Sequence, residues 1–369
     1  MRVAIDSGPL TGGHSVRGVG ISTKGLMDSL LRYNTDKDII IEKVDFSNTS
    51  PLDFDILHYT SFNPYFLNIP RLGSAKGRII LTIHDLIPVI YKNNYSPGIK
   101  GELKFQMNKL LVKYADKIIT VSETSKKDII RILGVNEKKI EVIYWAPDET
   151  FREILDKSSL SEISSKYRLP NKFILYVGDV NYNKNLSTLI EATTLAGIPL
   201  VIVGKQASNI DELTISWSNL NGPMDFIRSL QGKPHPELFH FKKLSSLIKE
   251  RHVVLTGFVP SEDLIGIYNL ASVYVQPSLY EGFGIPVLEA FVCGVPVVIS
   301  KTQSLVEIAN GAALTADPDS AEDFSEKIKS LLNDNSVKLH LIRAGKTRVK
   351  DFSWKKTAEA TINIYKKII

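Results

Sequence analysis

Short apolar runs alternate with helix-like stretches along most of the chain. Runs such as Arg2–Asp6, Arg78–Ile83, Phe173–Gly178 and Val253–Gly257 have the length of strands and are almost continuously apolar. Strands of this composition are typical of a parallel sheet that helices cover on both faces. The helical stretches between them, for example from about Ile21 to Arg32, would supply those layers. The pattern therefore predicts an α/β fold built on parallel sheets.

The alternation is interrupted near the middle of the chain. After the predicted strand Ile140–Tyr144, the stretch Asp156–Lys172 is polar and rich in Ser and Lys. A chain of 369 residues has the size of about two ordinary domains. We therefore predict one domain over residues 1–155 and a second over residues 170–351.

Composition narrows the class of protein. The net charge of +5 is compatible with an anionic ligand or a membrane surface and does not require nucleic acid. The single cysteine, Cys293, excludes an intrachain disulfide and a Cys-cluster metal site, and its apolar surroundings predict a buried thiol. No segment has the length and hydropathy of a membrane span or a signal peptide, so we expect a cytoplasmic protein.

Two glutamates, Glu281 and Glu289, flank a Gly-rich turn that follows the predicted strand Val273–Pro277. Pro286 suits the first turn of a helix, so backbone N–H groups just before it would lie at a helix N-terminus. Such a terminus favours anions and hydroxyl groups. The alternative is a structural strand–turn–helix with two solvated glutamates.

The full sequence of residues 277–298, Pro-Ser-Leu-Tyr-Glu-Gly-Phe-Gly-Ile-Pro-Val-Leu-Glu-Ala-Phe-Val-Cys-Gly-Val-Pro-Val-Val, resembles the signature of retaining glycosyltransferases of family GT4. The resemblance extends over nearly the whole chain. It implies the GT-B fold, in which two Rossmann-like domains face each other across a cleft. It also implies that a C-terminal helix, residues 352–369, crosses back to the first domain.

The resemblance assigns roles to residues of this motif. Glu281 would hold the hydroxyl groups of the donor sugar, and Glu289 would hold the nucleotide ribose. Backbone groups of Phe283, Gly284 and Ile285 would help to position the sugar.

A histidine follows the predicted strand Arg78–Ile83, at the end where open α/β sheets bind ligands. On the residues alone, the favoured interpretation is that His84 satisfies local backbone groups at a turn. The segment Thr-Ile-His-Asp-Leu-Ile-Pro over residues 82–88 is similar to one in many GT4 enzymes, where the histidine contacts the donor sugar. The resemblance gives His84 that role, and it favours mannose as the sugar and GDP-mannose as the donor.

Lys184 lies in a segment, Tyr176–Leu186, that resembles the part of GT4 enzymes where a lysine neutralises the donor pyrophosphate. Many family members add an arginine, but Asp179 and Asn183 occupy its places here. Arg17 or Lys205 would replace it, or the pyrophosphate is less strongly stabilised. The alternative interpretation is that Lys184 is a solvated lysine at the start of a helix and contacts no ligand.

Two glycines at the start of the first predicted helix, Gly18 and Gly20, would let the backbone approach a pyrophosphate. Turn geometry alone is an equal explanation for them.

Two further segments have alternative interpretations. Residues Gly98–Lys117 are predicted as a helix carrying five lysines, either solvated around a buried stripe or in peripheral contact with an anionic membrane. Residues 206–250 form a connection longer than usual, and this is an acceptor loop, a partner loop or a helical insertion.

Together these features predict a metal-independent glycosyltransferase without a cofactor other than its nucleotide-sugar co-substrate. The acceptor would be a hydroxyl of a glycan or glycolipid in cell-surface polysaccharide synthesis. Two alternatives stay open: another GT-B sugar-phosphate enzyme, such as a phosphorylase or epimerase, and a non-catalytic nucleotide-sugar-binding subunit. The missing arginine is the best support for the latter.

Overall fold

The computed structural model describes residues 1–11, 18–46, 53–67, 69, 77–95, 97–211 and 236–369. The chain divides into two compact units. The first unit contains Met1–Lys92, Pro97–Ala146 and Phe352–Ile369, and the second contains Asn93–Ser96 and Pro147–Asp351. Each holds a six-stranded parallel sheet, as the alternating pattern predicted, and the two units are Rossmann-like domains, as the family resemblance implied.

The first unit has its strands in the order β2-β1-β3-β4-β5-β6. They are β1 (Arg2–Asp6), β2 (Ile40–Val44), β3 (Ile56–Tyr59), β4 (Arg78–Ile83), β5 (Lys117–Thr120) and β6 (Ile140–Val142). The helices along this part of the chain are α1 (Gly18–Tyr33), α2 (Ile87–Ile90), α3 (Lys92–Tyr95), α4 (Gly98–Leu111) and α5 (Glu123–Asp128). The last helix of the chain, α15 (Trp354–Lys367), also belongs here. The central strand β3 is buried along its whole length, including its polar residue His58.

A buried polar chain fixes α15 to the sheet of the first unit. The ring nitrogens of His58 lie 2.7 Å from the Tyr365 hydroxyl and 2.8 Å from Thr82 Oγ1, and all three residues are inaccessible to solvent. α15 also packs against α1, where a Cβ on Gly25 would lie 2.3 Å from the Trp354 ring. Only glycine fits at that crossing, so sequence positions far apart specify one helix pair.

The second unit has its strands in the order β12-β11-β10-β7-β8-β9. They are β7 (Ile174–Val177), β8 (Leu200–Val203), β9 (Val253–Gly257), β10 (Val273–Gln276), β11 (Val297–Ser300) and β12 (Leu314–Ala316). The helices are α6 (Lys157–Lys166), α7 (Leu186–Ala196), α8 (Lys205–Ser208), α9 (Pro236–Glu250), α10 (Ser261–Leu270), α11 (Ile285–Val292), α12 (Gln303–Ala309), α13 (Ala321–Asn333) and α14 (Asn335–Arg348).

This strand order creates a topological switch point between β7 and β10. From β7 the chain adds β8 and β9 on one side, and it then returns to add β10, β11 and β12 on the other. In open α/β sheets the crevice at such a point, outside the carboxyl ends of the strands, is where ligands bind. We therefore expect a ligand site in the loops that follow β7 and β10.

One segment differs in detail from the expectations, and another is described only in part. The predicted helix Gly98–Lys117 is too long: α4 ends at Leu111, a 3-10 turn covers Val112–Tyr114, and Lys117 opens β5. The reason is that the apolar residues after Lys117 pair with β4, which removes the lysine from the helix. Of the 206–250 connection, residues 212–235 lie outside the described residues.

The described end of that connection is helical and packed. Phe241 and Leu244 of α9 are buried in the core of the second unit, alongside Leu189 of α7. Over the described part of the chain, no helix combines the length and hydropathy that a bilayer crossing requires.

Two histidines of the first unit, the buried His58 and the half-buried His84, should make its stability fall with decreasing pH. Burial lowers the pKa of His58 to about 3 and that of His84 to about 4, from an ordinary value of 6.5. The unfolded chain therefore binds more protons below pH 6.5, so this stabilisation is complete above that pH and is lost as the pH falls. We expect a loss of about 2 kcal/mol per histidine between pH 6.5 and about pH 5.

Urea unfolding near neutral and acidic pH measures this effect through tryptophan fluorescence, because Trp145 and Trp354 stack in the first unit. His58→Asn should remove about half of the pH dependence, since it removes one of two shifted groups. His340→Asn, at an exposed position on α14, is the control and should leave the dependence unchanged. A His58→Asn protein with the wild-type pH dependence would contradict this explanation.

Candidate active site

The loops after β7 and β10 bring Lys184 and Glu281 together at the switch point. The Lys184 ammonium donates to both carboxylate oxygens of Glu281, at 2.8 and 2.9 Å. Glu281 Oε1 also accepts from Gln276 Nε2 at 2.8 Å and from Ser278 Oγ at 2.6 Å. Glu281 is only 8% exposed, so these donors replace the water that a carboxylate normally needs.

The backbone of Glu281 is held as firmly as its side chain. Its carbonyl accepts from Ser304 Oγ, at the start of α12, at 2.6 Å. Tyr274 donates its hydroxyl to Gln276 Oε1, which orients the Gln276 amide so that its NH2 group faces Glu281. The carboxylate is thus positioned by a buried network before any ligand arrives.

The Gly-rich turn leads from Glu281 into α11. Gly284 has φ +124°, and a Cβ there would lie 2.9 Å from Leu305, so glycine is required on both grounds. Ile285 begins α11, one residue before the predicted start at Pro286. Phe283 is buried at 5% exposure, so its side chain anchors the turn in the core.

Glu289 lies in α11, in the same unit as Glu281, and accepts a 2.8 Å hydrogen bond from the Tyr268 hydroxyl. Burial raises the pKa of Glu289 to about 7; the Tyr268 hydrogen bond opposes this shift and the charge of Asp148 adds to it. The carboxyl group therefore changes its charge near neutral pH. Sequence reasoning missed Tyr268, since a tyrosine among the apolar residues of α10 carries no sign of a partner in α11.

Asn183 has a structural task at one of the places where the arginine was expected. Asn183 is 3% exposed, and its side-chain NH2 group donates to the backbone carbonyl of Tyr280 at 3.0 Å. Its backbone carbonyl accepts a hydrogen bond from Leu279 N–H at 2.8 Å. It therefore ties the Lys184 turn to the Glu281 loop.

Of the two residues proposed as replacements for that arginine, the structure describes only Lys205. Arg17 lies outside the described residues. Lys205 is exposed at the start of α8, directly after β8, which pairs in parallel with β7. It thus lies at the same edge of the sheet as the loop that carries Lys184.

His84 lies in the first unit, directly after β4. Its Nε2 is 3.1 Å from the Thr60 carbonyl, and Trp145 Nε1–H donates to its Nδ1 at 3.4 Å. These partners select the tautomer that carries its proton on Nε2. With the pKa lowered to about 4 by burial, the imidazole is neutral at neutral pH. Trp145, which supports the ring, was also missed by the sequence reasoning.

Gly18 and Gly20 lie at the start of α1, also in the first unit. A Cβ at Gly18 would meet no atom within 4 Å, so local packing does not require glycine there. Cys293 is buried, as predicted, and burial raises the pKa of its thiol to about 12. Among the described residues, no three His, Cys, Asp or Glu side chains are grouped as a metal site would need.

The fold, with a paired Lys and Glu at the switch point of its second Rossmann-like unit, is that of the GT-B class. Residues 161–348 match the family described as "Glycosyl transferases group 1", and residues 39–150 match "Glycosyltransferase Family 4". The first match covers just over half of the chain. The chain belongs to glycosyltransferase family 4, as the motif around Glu281 implied.

Two of the chain's relatives are named as mannosyltransferases of Escherichia coli. The chain is 28% identical to "Serotype-specific mannosyltransferase WbdA" over 88% of its own length, but it spans only 38% of that relative. It is 30% identical to "O-antigen chain mannosyltransferase B", with 85% of this chain and 75% of the relative covered.

Solved structures share the fold across the whole chain. Anabaena HepE, in complex with UDP and glucose, has a TM-score of 0.71 at 15% identity and covers 100% of both chains. Sucrose-phosphate synthase from Thermosynechococcus elongatus has a TM-score of 0.72 at 19% identity, with 100% of this chain and 99% of that chain covered. At these identities the likeness is one of fold alone.

Tyr268→Phe should raise the pKa of Glu289 further above its ordinary value. The variant keeps the ring in the core but removes the hydroxyl that stabilises the ionised carboxylate. Loss of a hydrogen bond to a charged group, about 1.5 kcal/mol or more, corresponds to a rise of about one pH unit. A side-chain carboxyl NMR titration measures it.

Tyr167→Phe is the matched control, because Tyr167 also donates to a carboxylate, Asp263 at 2.6 Å, in the same unit. It should leave the titration of Glu289 unchanged. If Glu289 titrates in Tyr268→Phe as it does in the wild type, the hydroxyl does not set its pKa.

Proposed function

We propose that the protein transfers a sugar from a nucleotide-sugar to a hydroxyl of a glycan or glycolipid, with retention of anomeric configuration. The observation that carries this proposal is the Lys184–Glu281 pair at the switch point of a family 4 domain. The E. coli relatives, named as a serotype-specific mannosyltransferase and an O-antigen chain mannosyltransferase, support mannose as the sugar and a cell-surface polysaccharide as the product. GDP-mannose is the donor we favour.

Donor binding would separate Lys184 from Glu281, and each residue would then contact a different group of the donor. The diphosphate of the donor offers Lys184 an alternative anionic partner. Glu281 would then keep its hydrogen bonds from Gln276 and Ser278 and would gain sugar hydroxyls as donors in place of the ammonium. Because Glu281 is fixed by the protein in advance, little ordering is needed when the sugar binds.

Glu289 would hold the ribose of the same donor, and the backbone at Phe283, Gly284 and Ile285 would meet the sugar near the N-terminus of α11. An ionised carboxylate accepts two hydroxyl hydrogen bonds, whereas the protonated form has less acceptor capacity. Since the pKa of Glu289 is near 7, donor affinity should rise with pH through neutrality. His84, Gly18 and Gly20 are the donor contacts that we propose from the first unit.

The chemical step would pass through an oxocarbenium-like transition state as the nucleoside diphosphate leaves. Negative charge grows on the leaving group, so a cation held beside it stabilises the transition state more than the bound substrate. Lys184 supplies this charge, and the amide dipoles at the start of α11 add to it. On this basis we propose that transfer needs no metal ion.

A transfer assay with a panel of nucleotide-sugars, run in excess EDTA, tests the function. We expect GDP-mannose to be consumed with an acceptor glycan, with EDTA having no effect, and NMR of the product to show the donor's anomeric configuration. Activity that vanishes in EDTA and returns with magnesium would refute metal independence. Nucleotide binding without transfer would instead indicate a binding subunit, and transfer to inorganic phosphate would indicate a phosphorylase.

Lys184→Gln tests the role of the ammonium group. The substitution keeps a donor near Glu281 but removes the charge, so kcat should fall on the order of 10²–10³-fold with a smaller change in KM. Ser278→Ala is the matched control, because it also removes a donor to Glu281 but no charge. Equal losses of kcat in the two variants would mean that Lys184 only positions Glu281.

We also propose that the enzyme is cytoplasmic and acts at the inner face of the membrane, where a lipid-linked acceptor would be held. The membrane contact was predicted over residues Gly98–Lys117. α4 and the turn that follows it are the part of that segment that could make it.

A further inference from the structure

α4 and the turn after it present an apolar stripe to solvent. Its members are between 52% and 76% exposed: Ile99, Leu103, Met107, Leu110 and Tyr114. They recur every three or four residues, so at 3.6 residues per turn they occupy about 80° of the helix circumference. With a rise of 1.5 Å per residue, the stripe is roughly 22 Å long.

The stripe is not part of the packing that holds the helix. Gly101, Phe105, Asn108 and Val112 are buried, and they lie on the opposite face. Asn108 Nδ2 donates to the carbonyls of Pro64 and Phe66, at 2.9 and 2.8 Å, which fixes the helix to the loop beside it. Packing in the core therefore accounts for the residues on the buried face of α4 but not for the apolar residues on its exposed face.

The neighbouring loop extends the apolar surface. Phe66 is 62% exposed and Leu67 is 45% exposed, and the Lys104 ammonium lies 5.2 Å from the centroid of the Phe66 ring. Single exposed apolar residues are ordinary, but a contiguous set of this kind indicates a partner.

Basic residues border the stripe on both sides. Lys100 and Lys104 project along one flank, and Lys109 and Lys113 along the other. Glu102 is the only acidic residue between Gly98 and Tyr114, so the segment has a net charge of +3, from four lysines and one glutamate. An apolar centre between two basic borders complements the acyl chains and phosphates of an anionic bilayer surface.

We infer that this stripe inserts into the boundary between headgroups and acyl chains of an anionic membrane, while the four flanking lysines contact lipid phosphates. This inference extends the membrane contact proposed above in two ways. Insertion of apolar side chains adds to the attraction between lysines and lipid phosphates, and the binding surface also includes Phe66 and Leu67. A second copy of the chain fits less well, because lysines on both borders would face lysines.

Flotation of the full chain with vesicles tests this inference. The probes are phosphatidylcholine vesicles and vesicles of equimolar phosphatidylcholine and phosphatidylglycerol. We expect binding to the mixed vesicles and little to the neutral ones, because stable anchoring needs both attractions.

Two double variants separate the contributions. Leu103→Gln with Leu110→Gln should weaken binding to mixed vesicles on the order of 30-fold, or about 2 kcal/mol, at low and high salt alike. Lys100→Gln with Lys104→Gln should weaken it by about fivefold for each lysine at low salt, with a smaller effect at high salt. Leu195→Gln removes a leucine that is 50% exposed on α7 of the second unit, and it should bind as the wild type does.

Circular dichroism and GDP affinity, measured on every variant, confirm that the fold is intact. The inference is overturned if the wild type does not bind mixed vesicles, or if the leucine variant binds them normally. It is also overturned if ultracentrifugation shows a dimer that the leucine variant abolishes, since a second copy would then cover the stripe. A chain that binds vesicles in this pattern but transfers no sugar would refute the proposed function and leave the membrane surface standing.

Discussion

The second unit depends on one ion pair. The carboxylate of Glu281 is buried at the switch point, and an unpaired charge there would cost several kcal/mol. Lys184 and two neutral donors remove that cost, but only when the loops after β7 and β10 lie close together. Asn183, which bonds to the second loop from within the first, serves the same end. The geometry of the site and the folding of its two loops are therefore one requirement.

Much of the fold could be predicted because burial leaves a strong trace in sequence. Strands such as Arg78–Ile83 and Val253–Gly257 each contain a run of three apolar residues, and their bounds agree with the prediction. The extent and the buried face of α4 were harder to predict, because an exposed apolar stripe and a buried one have the same residue types at the same spacing. The strand that follows it begins with Lys117, a residue that suits a helix equally well.

The sequence identified individual residues of the candidate site but not the contacts between them. Glu281 and Lys184 were each found in a motif, yet they lie 97 residues apart in sequence, and only the strand order brings them into contact. Tyr268 and Trp145 belong to no motif, and their roles at the site come from hydrogen bonds to Glu289 and His84 that form only in the folded chain. Asn183 shows the opposite case, since a place that the family resemblance gave to an arginine is filled by a buried structural amide.

The position of α15 has a consequence for synthesis on the ribosome. The first unit is completed by residues Phe352–Ile369, which follow the whole of the second unit in the chain. Until Tyr365 has been translated, His58 lacks one of its two hydrogen-bond partners, and the surface of the first unit that α15 covers is open to water. The domain that is translated first can therefore be completed only after the domain that is translated second.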